Sequence, residues 1–414
     1  MNLDPRVAIE ALRAGVPNRT AIRLMGSDHG AIEDAFEAAL QSAWSGGARS
    51  GLGIAGGFGT GKSHLLGYLA EVARGQGFVV SRVVVSKETP LGQPASVFAA
   101  ALGHAALPDR PDDPIAACLA DLRGRPQALE QLEEAVSRPG VGFAPIFAAC
   151  LYLLRRSATP PEMQRRLERF AGGARVSLPA IRQGLRAAGA KALFDIRPVN
   201  AADLVLQHIA FAALLFRAAG YAGWCILFDE MELIGRYTPL QRAMAYAWLA
   251  TWLGLAGARP FPGIVAAYAI TDDFATAVID ARLDSEKLPE RLRLKGRDAD
   301  ATLALAAIGH VEHTVRERRL LPPSADDIAR CHDRLRELYT AAYDWPAPTL
   351  PPTARTASRT MRQYIKAWIA AWDMQRLHGA AVDVVAGTIA STYAEDAALD
   401  AAAEESGADG DEPG

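Results

Sequence analysis

Cysteine is scarce in this chain, with four in 414 residues, at positions 118, 150, 225 and 331, and no CxxC pair among them. That scatter argues against a zinc site and a disulfide framework and suits buried free thiols in a reducing cytosol. No unbroken apolar run approaches the ~18 residues of a bilayer span, so no membrane association is expected. The opening residues, Met1 to Arg6, lack the charged and apolar regions of a secretory signal, and a cytoplasmic protein is expected. A large net charge is also missing, at −3, but that average hides an asymmetry. Residues 395–414 carry eight acidic side chains and no basic one, in a run expected to be disordered. Without them, 39 acidic residues face 44 basic ones.

What is present suits a folded, multidomain protein. Half of the chain is hydrophobic and 22% is charged, enough for a sizeable core. Short helices are expected over 5–15 and 31–44. Three apolar strands follow the P-loop pattern: Gly51–Ala55, Phe78–Val85 and Trp224–Phe228, with a fourth over Gly263–Ile270. Helices fall between them, over 201–219 and 240–255, which implies an α/β fold with a parallel sheet covered on both faces. Residues 91–200 read as a helical insertion broken by prolines, including Pro108, Pro114, Pro126 and Pro179. From Asp298 to about Leu399 the chain reads as helical with no further strand, and no internal repeat is visible.

The chemistry centres on Gly56-Gly-Phe-Gly-Thr-Gly-Lys-Ser63, which satisfies G-x-x-x-x-G-K-[ST] between an expected strand and an expected helix. Glycines let the backbone curl around phosphate oxygens, and the following helix N-terminus favours anions. Gly57, Phe58, Gly59, Thr60, Gly61, Lys62, Ser63 and His64 are therefore the expected ATP-binding residues. Lys62 should reach the β- and γ-phosphates, and the Ser63 hydroxyl should ligate Mg2+. Cys225-Ile-Leu-Phe-Asp-Glu230 supplies the second motif, four apolar residues and two acids. Asp229 should hold Mg2+ through water, and Glu230 should orient the attacking water. Plainer readings exist for each piece, a glycine turn and a strand ending in surface acids, but the two motifs in order argue against both. No role is assigned to Glu232.

A glutamate directly after the aspartate, and a strand between the two motif strands, resemble the additional-strand P-loop ATPases, and the following segment resembles AAA+ proteins. That resemblance implies a polar sensor at Thr271, an arginine finger at Arg291 (with Arg282 in reserve) and a lid arginine at Arg362 or Arg359. It also implies an AAA+ core over 1–297, a helical lid over 298–394 and the acidic tail beyond. An N-cap at Thr271 and plain surface arginines elsewhere are the ordinary alternatives.

Three stretches narrow the family: Ala11-Leu-Arg-Ala-Gly-Val-Pro-Asn18, Gly56 to Leu66, and Val83-Val-Val-Ser-Lys-Glu-Thr-Pro-Leu91. Together they resemble the ATP-binding proteins of bacteriophage-exclusion (BREX) defence loci, the BrxD group. The resemblance implies an ATPase acting against phage DNA beside a helicase of the same locus, and a homo-oligomer is open. A more distant likeness to initiator ATPases implies that Arg13 to Val16 pack against adenine. Such proteins add a winged-helix domain after the lid, for which the 40 residues after Met374, half of them in the acidic run, are too few. DNA contact could instead use residues 155–197, which hold nine arginines and one lysine against three acids. That requires the arginines to share an exposed face, free of acids such as Glu162 and Glu168. Competing functions are a STAND-type signalling ATPase and a module that holds ATP without hydrolysis; Glu230 argues against the latter.

Overall fold

The computed structural model of the chain describes residues 4–379, apart from 17, 48–50, 139, 141, 157, 256, 259, 260 and 351–359. Its centre is a five-stranded parallel sheet built from β1 (Leu52–Gly56), β2 (Val79–Val84), β3 (Trp224–Asp229), β4 (Ile264–Ile270) and β5 (Arg319–Leu320). The order is β2-β3-β4-β1-β5, so β4 lies between the two motif strands β1 and β3. The middle strands are apolar throughout because helices cover both faces. In β3 the side chains alternate: Cys225 and Leu227 pack on one face, Trp224, Ile226 and Phe228 on the other.

The first face is covered by α3 (Gly30–Trp44) and α4 (Lys62–Gly75), through Phe36, Leu40, Leu65, Leu66 and Leu69. The second is covered by α11 (Ala201–Ala218), α12 (Pro239–Leu253) and α14 (Asp298–Glu317), through Phe216, Leu249, Ala304 and Val311 among others. Two expectations are corrected here. The stretch after 298 does contain a strand: β5 is only two residues long, so it carries no periodicity to read, yet Ala55 pairs with Arg319 and Gly56 with Leu320. The expected lid boundary at 298 also falls inside the sheet layer, because the apolar stripe of α14 is buried with the sheet.

Residues 91–200 are more regular than their prolines suggest. Among the described residues six helices occur: α5 (Pro94–Gly103), α6 (Pro114–Arg123), α7 (Pro126–Ser137), α8 (Pro145–Arg155), α9 (Pro161–Ala171) and α10 (Leu178–Ala187). Each has a proline in its first two positions, where a missing N–H costs nothing and the locked φ favours the helix. These prolines start helices rather than break them. α11, alone among the described helices, is long and apolar enough to cross a membrane by length and composition. It packs instead against α5, α6 and α7, with Phe211, Leu215 and Phe216 buried.

The last two helices, α15 (Ala325–Tyr343) and α16 (Met361–His378), form a separate small core with α1 (Pro5–Ala14) and α2 (Arg19–Met25). Ile9, Met25, Leu335, Tyr339, Trp368 and Trp372 are its centre. Arg13 of α1 binds Asp373 of α16 at 3.0 Å, and Tyr339 donates to the same carboxylate at 2.7 Å. The first and last described helices are thus joined beside the sheet. Residues 380–394 and the acidic run from 395 lie outside the described residues, as do Pro17 and Arg359.

Candidate functional site

The turn after β1 has its two tightest points at Gly59 and Gly61, with φ of 77° and 103°, where a side chain would be strained. Gly61 is also the N-cap of α4, so the first amides of that helix point into the turn. Lys62 is buried, and its Nζ donates to the carbonyls of Gly56 at 2.9 Å and Gly57 at 3.1 Å. The loop's own oxygens thus hold the ammonium over the turn. A Cβ placed on Gly59 would lie 2.7 Å from Thr360 Cγ2, so the start of α16 rests on the turn.

A cavity of about 490 Å³ opens in front of this turn. Phe58 to His64 line it, together with Glu230 and Glu232 beyond β3, Arg319 of β5, Arg334 of α15 and Arg362 of α16. Leu12, Gly15 and Val16 line its other end, with Met25 to His29. Residues distant in sequence therefore meet around one space.

Two carboxylates define the sheet side. Asp229, at the end of β3, accepts from the Glu230 backbone N–H at 3.1 Å through Oδ1 and from Arg82 of β2 at 3.2 Å through Oδ2. Arg82 also reaches the Ser63 carbonyl at 3.4 Å. A cation therefore stands between Ser63 and Asp229, the two residues expected to hold Mg2+, and the position accepts positive charge. Glu230 has φ 59°, left-handed backbone that costs energy in a residue with a side chain and is common at functional turns. Burial and the neighbouring Asp229 raise its pKa, while Lys62 and Arg362 lower it. Glu232 is pushed up to about 7, chiefly by burial, and its Oε2 is buried with no partner among the described residues. Among the described residues no three His, Cys, Asp or Glu side chains are set to hold a metal ion by themselves, so a cation here would draw most of its shell from water and phosphate oxygens.

The expected residues divide into those the fold brings together and those it does not. Phe58, Gly59, Thr60, Gly61, Lys62, Ser63, His64, Glu230 and Arg362 line the cavity. His64 has its Nε2 at 2.8 Å from the Gly26 carbonyl and a pKa lowered by burial, so this nitrogen anchors the α2–α3 link. Gly57 and Asp229 adjoin lining residues without lining the cavity themselves, and Thr271 is buried directly after β4. Arg291 is exposed on α13 (Asp284–Arg293), away from the cavity lining, and Arg282 lies just before that helix. Arg13 does not line the cavity; its pair with Asp373 turns it toward α16, which leaves Leu12, Gly15 and Val16 at the proposed adenine end.

Sequence reasoning passed over Arg82, Arg319 and Arg334. Arg82 could have been suspected as the one charge in Val79-Val-Ser-Arg-Val-Val84; the other two carry no local signal. Arg319 pairs with Asp272 at 2.5 Å, next to Thr271, and Arg334 donates to the Met25 carbonyl.

Residues 3–121 match the family described as BREX system ATP-binding protein BrxC/D. All three stretches that carried the BREX resemblance lie inside this match, which contains the phosphate turn and ends before β3. The match supports nucleotide binding and a role in phage defence. No curated protein and no solved structure matches the chain.

In the 155–197 stretch the condition of exposed arginines free of acids is met by some side chains and not by others. Arg166 pairs with Glu162 at 2.6 Å, Arg155 with Glu130 at 2.9 Å and Arg197 with Asp195 at 2.6 Å. Glu168 is engaged by Arg123 from α6 at 2.5 Å. Glu162 and Asp195 lie within the stretch itself and only Glu130 comes from outside it, on α7, while Arg165, Arg169, Arg175 and Arg186 are exposed, so much of the local excess of positive charge faces solvent.

Proposed function

We propose that the chain is a Mg2+-dependent ATPase of the AAA+ type, an ATP-driven switch in BREX-type phage defence. The observation that carries this reading is the single cavity shared by Lys62, Ser63, Glu230 and Arg362. The strand order, with β4 between β1 and β3, supports the additional-strand assignment. The seat of α16 on Gly59 supports α15–α16 as the lid, closing on the γ-phosphate through Arg362.

Within that reading the roles follow from chemistry. Lys62 would exchange its two carbonyl partners for β- and γ-phosphate oxygens, a stronger charge-assisted contact. Ser63 and Asp229 would hold Mg2+, which neutralises phosphate charge and helps align the triphosphate. Glu230, whose proton affinity is raised by burial, would accept a hydrogen bond from the attacking water and take up its proton. Thr271 would be the sensor behind that water. An exposed Arg291 suits a finger offered to a second copy's site, which makes turnover concentration-dependent. The acting partners, a helicase of the same locus and DNA, rest on the BREX resemblance.

ATP turnover of the full chain with and without Mg2+, and with single- and double-stranded DNA, tests the reading. Mg2+-dependent turnover is expected; nucleotide that binds and is never hydrolysed would leave a holding module instead.

A further inference from the structure

We infer that Arg82 is the resident counter-cation of the metal position and that it sets how strongly Mg2+ and nucleotide binding depend on each other. The inference rests on the proposal that Ser63 and Asp229 hold Mg2+. Both oxygens of Asp229 are engaged within the chain, Oδ1 by the Glu230 amide at 3.1 Å and Oδ2 by Arg82 at 3.2 Å. The guanidinium also reaches the Ser63 carbonyl at 3.4 Å, so it spans both residues. Its side chain is 31% exposed and that of Asp229 only 10%, so the pair is partly shielded from water and weakly screened. A second arginine–aspartate pair, Arg242 of α12 with Asp284 of α13, is sealed at 3% and 1% exposure and also held by the Tyr237 carbonyl. That pair is architecture. Arg82 instead stands where a ligand's charge would arrive.

Two consequences follow, and they push in the same direction. A divalent cation approaching Asp229 meets a like charge and must displace the guanidinium from Oδ2, which weakens metal binding. A nucleotide arriving without metal meets an aspartate already neutralised, which makes metal-free binding tolerable. Removing the guanidinium should therefore tighten the metal complex and weaken the metal-free one. The coupling between Mg2+ and nucleotide, measured as the ratio of nucleotide Kd in EDTA to Kd in Mg2+, should rise; coupling of this kind is reciprocal.

The test uses calorimetric titration of the full chain with ADP and with a slowly hydrolysed ATP analogue, in EDTA and in Mg2+. R82M and R82Q should raise the ratio about tenfold over wild type, which is about 1.4 kcal/mol of coupling. R82K, which keeps a charge, should stay nearer to wild type. In a D229N background the same R82M change should leave the ratio where it is, since its partner is gone. An R82M or R82Q protein that is folded by circular dichroism and keeps the wild-type ratio would overturn the inference alone. So would an equal rise in the D229N background. Wild-type protein that binds no nucleotide in either buffer would overturn the nucleotide proposal, and this inference with it.

Discussion

Positive charge is gathered in two parts of this molecule, and the two gatherings behave differently. In residues 155–197 the arginines are dense along the chain but open to solvent rather than onto a shared cavity, and Arg155, Arg166 and Arg197 are paired with Glu130, Glu162 and Asp195. At the cavity, Lys62, Arg319, Arg334 and Arg362 come from four elements spread over the whole chain and open on one space. Density in sequence counts charges without saying where their field points. Convergence in space is what makes a site for a polyanion, because potentials from several sides add in a partly enclosed, low-dielectric volume.

The largest effect expected at the convergent site is on chemistry. Glu230→Gln should lower ATP turnover by ~10²–10⁴-fold, the usual worth of a positioned base, and leave ATP binding intact. Turnover within threefold of wild type would remove Glu230 from its role. Next comes Lys62→Ala, which deletes the charge nearest the phosphate turn. Hydrogen bonds to charged groups contribute ~1.5–3 kcal/mol, so ATP affinity should fall roughly 10- to 150-fold in equilibrium titration. Retained affinity would mean that the cavity's other cations, and not the turn, hold the nucleotide.

This contrast also explains what was legible in advance. The α/β fold, four of the five strands and the phosphate turn were readable because a buried strand and G-x-x-x-x-G-K-[ST] are local patterns with local causes. Glu230 was readable because it follows a buried strand and needs no partner to be recognised. β5 was not, since two residues carry no period, and it is defined only by its pairing with Ala55 and Gly56. Arg319 and Arg334 belong to the cavity through the packing of β5 and α15, which no spacing encodes. The joining of α1 and α2 to α15 and α16 was likewise invisible: Arg13 and Asp373 are 360 positions apart.

A smaller effect should appear in stability at Glu232. Its carboxyl is raised to about 7 in the folded chain, chiefly by burial, above the ~4.3 of an unfolded glutamate. The folded state therefore holds a proton that the unfolded state releases. The stability this gives is full below pH ~4 and is lost as pH rises through about 7. Glu232→Gln should then stabilise nucleotide-free protein at pH 8, by on the order of 2 kcal/mol, with the gain shrinking toward pH 5. Urea unfolding at both pH values reads this directly, and an equal difference at each would show that charge at Glu232 is not the cause.

The smallest effect is expected at the dispersed charges, and there the comparison is easiest to break. Arg166 faces Glu162, so lending its charge to a phosphate means giving up that pair, while Arg165 and Arg169 are exposed on the same helix. Three full phosphate contacts would contribute ~0.9 each to the log–log salt slope of duplex binding. Reversing Arg165, Arg166 and Arg169 to Glu should instead change that slope by no more than ~1, one contact's worth. ATP turnover should be unaffected, because the cavity is built from other elements. The stability cost should be about 1 kcal/mol or less, as for other exposed ion pairs. A slope that drops by more than about two units would show that α9 presents all three arginines to DNA despite the Arg166–Glu162 pair. Density along the chain would then matter in its own right, and the distinction between gathered and convergent charge would have to be given up for this protein.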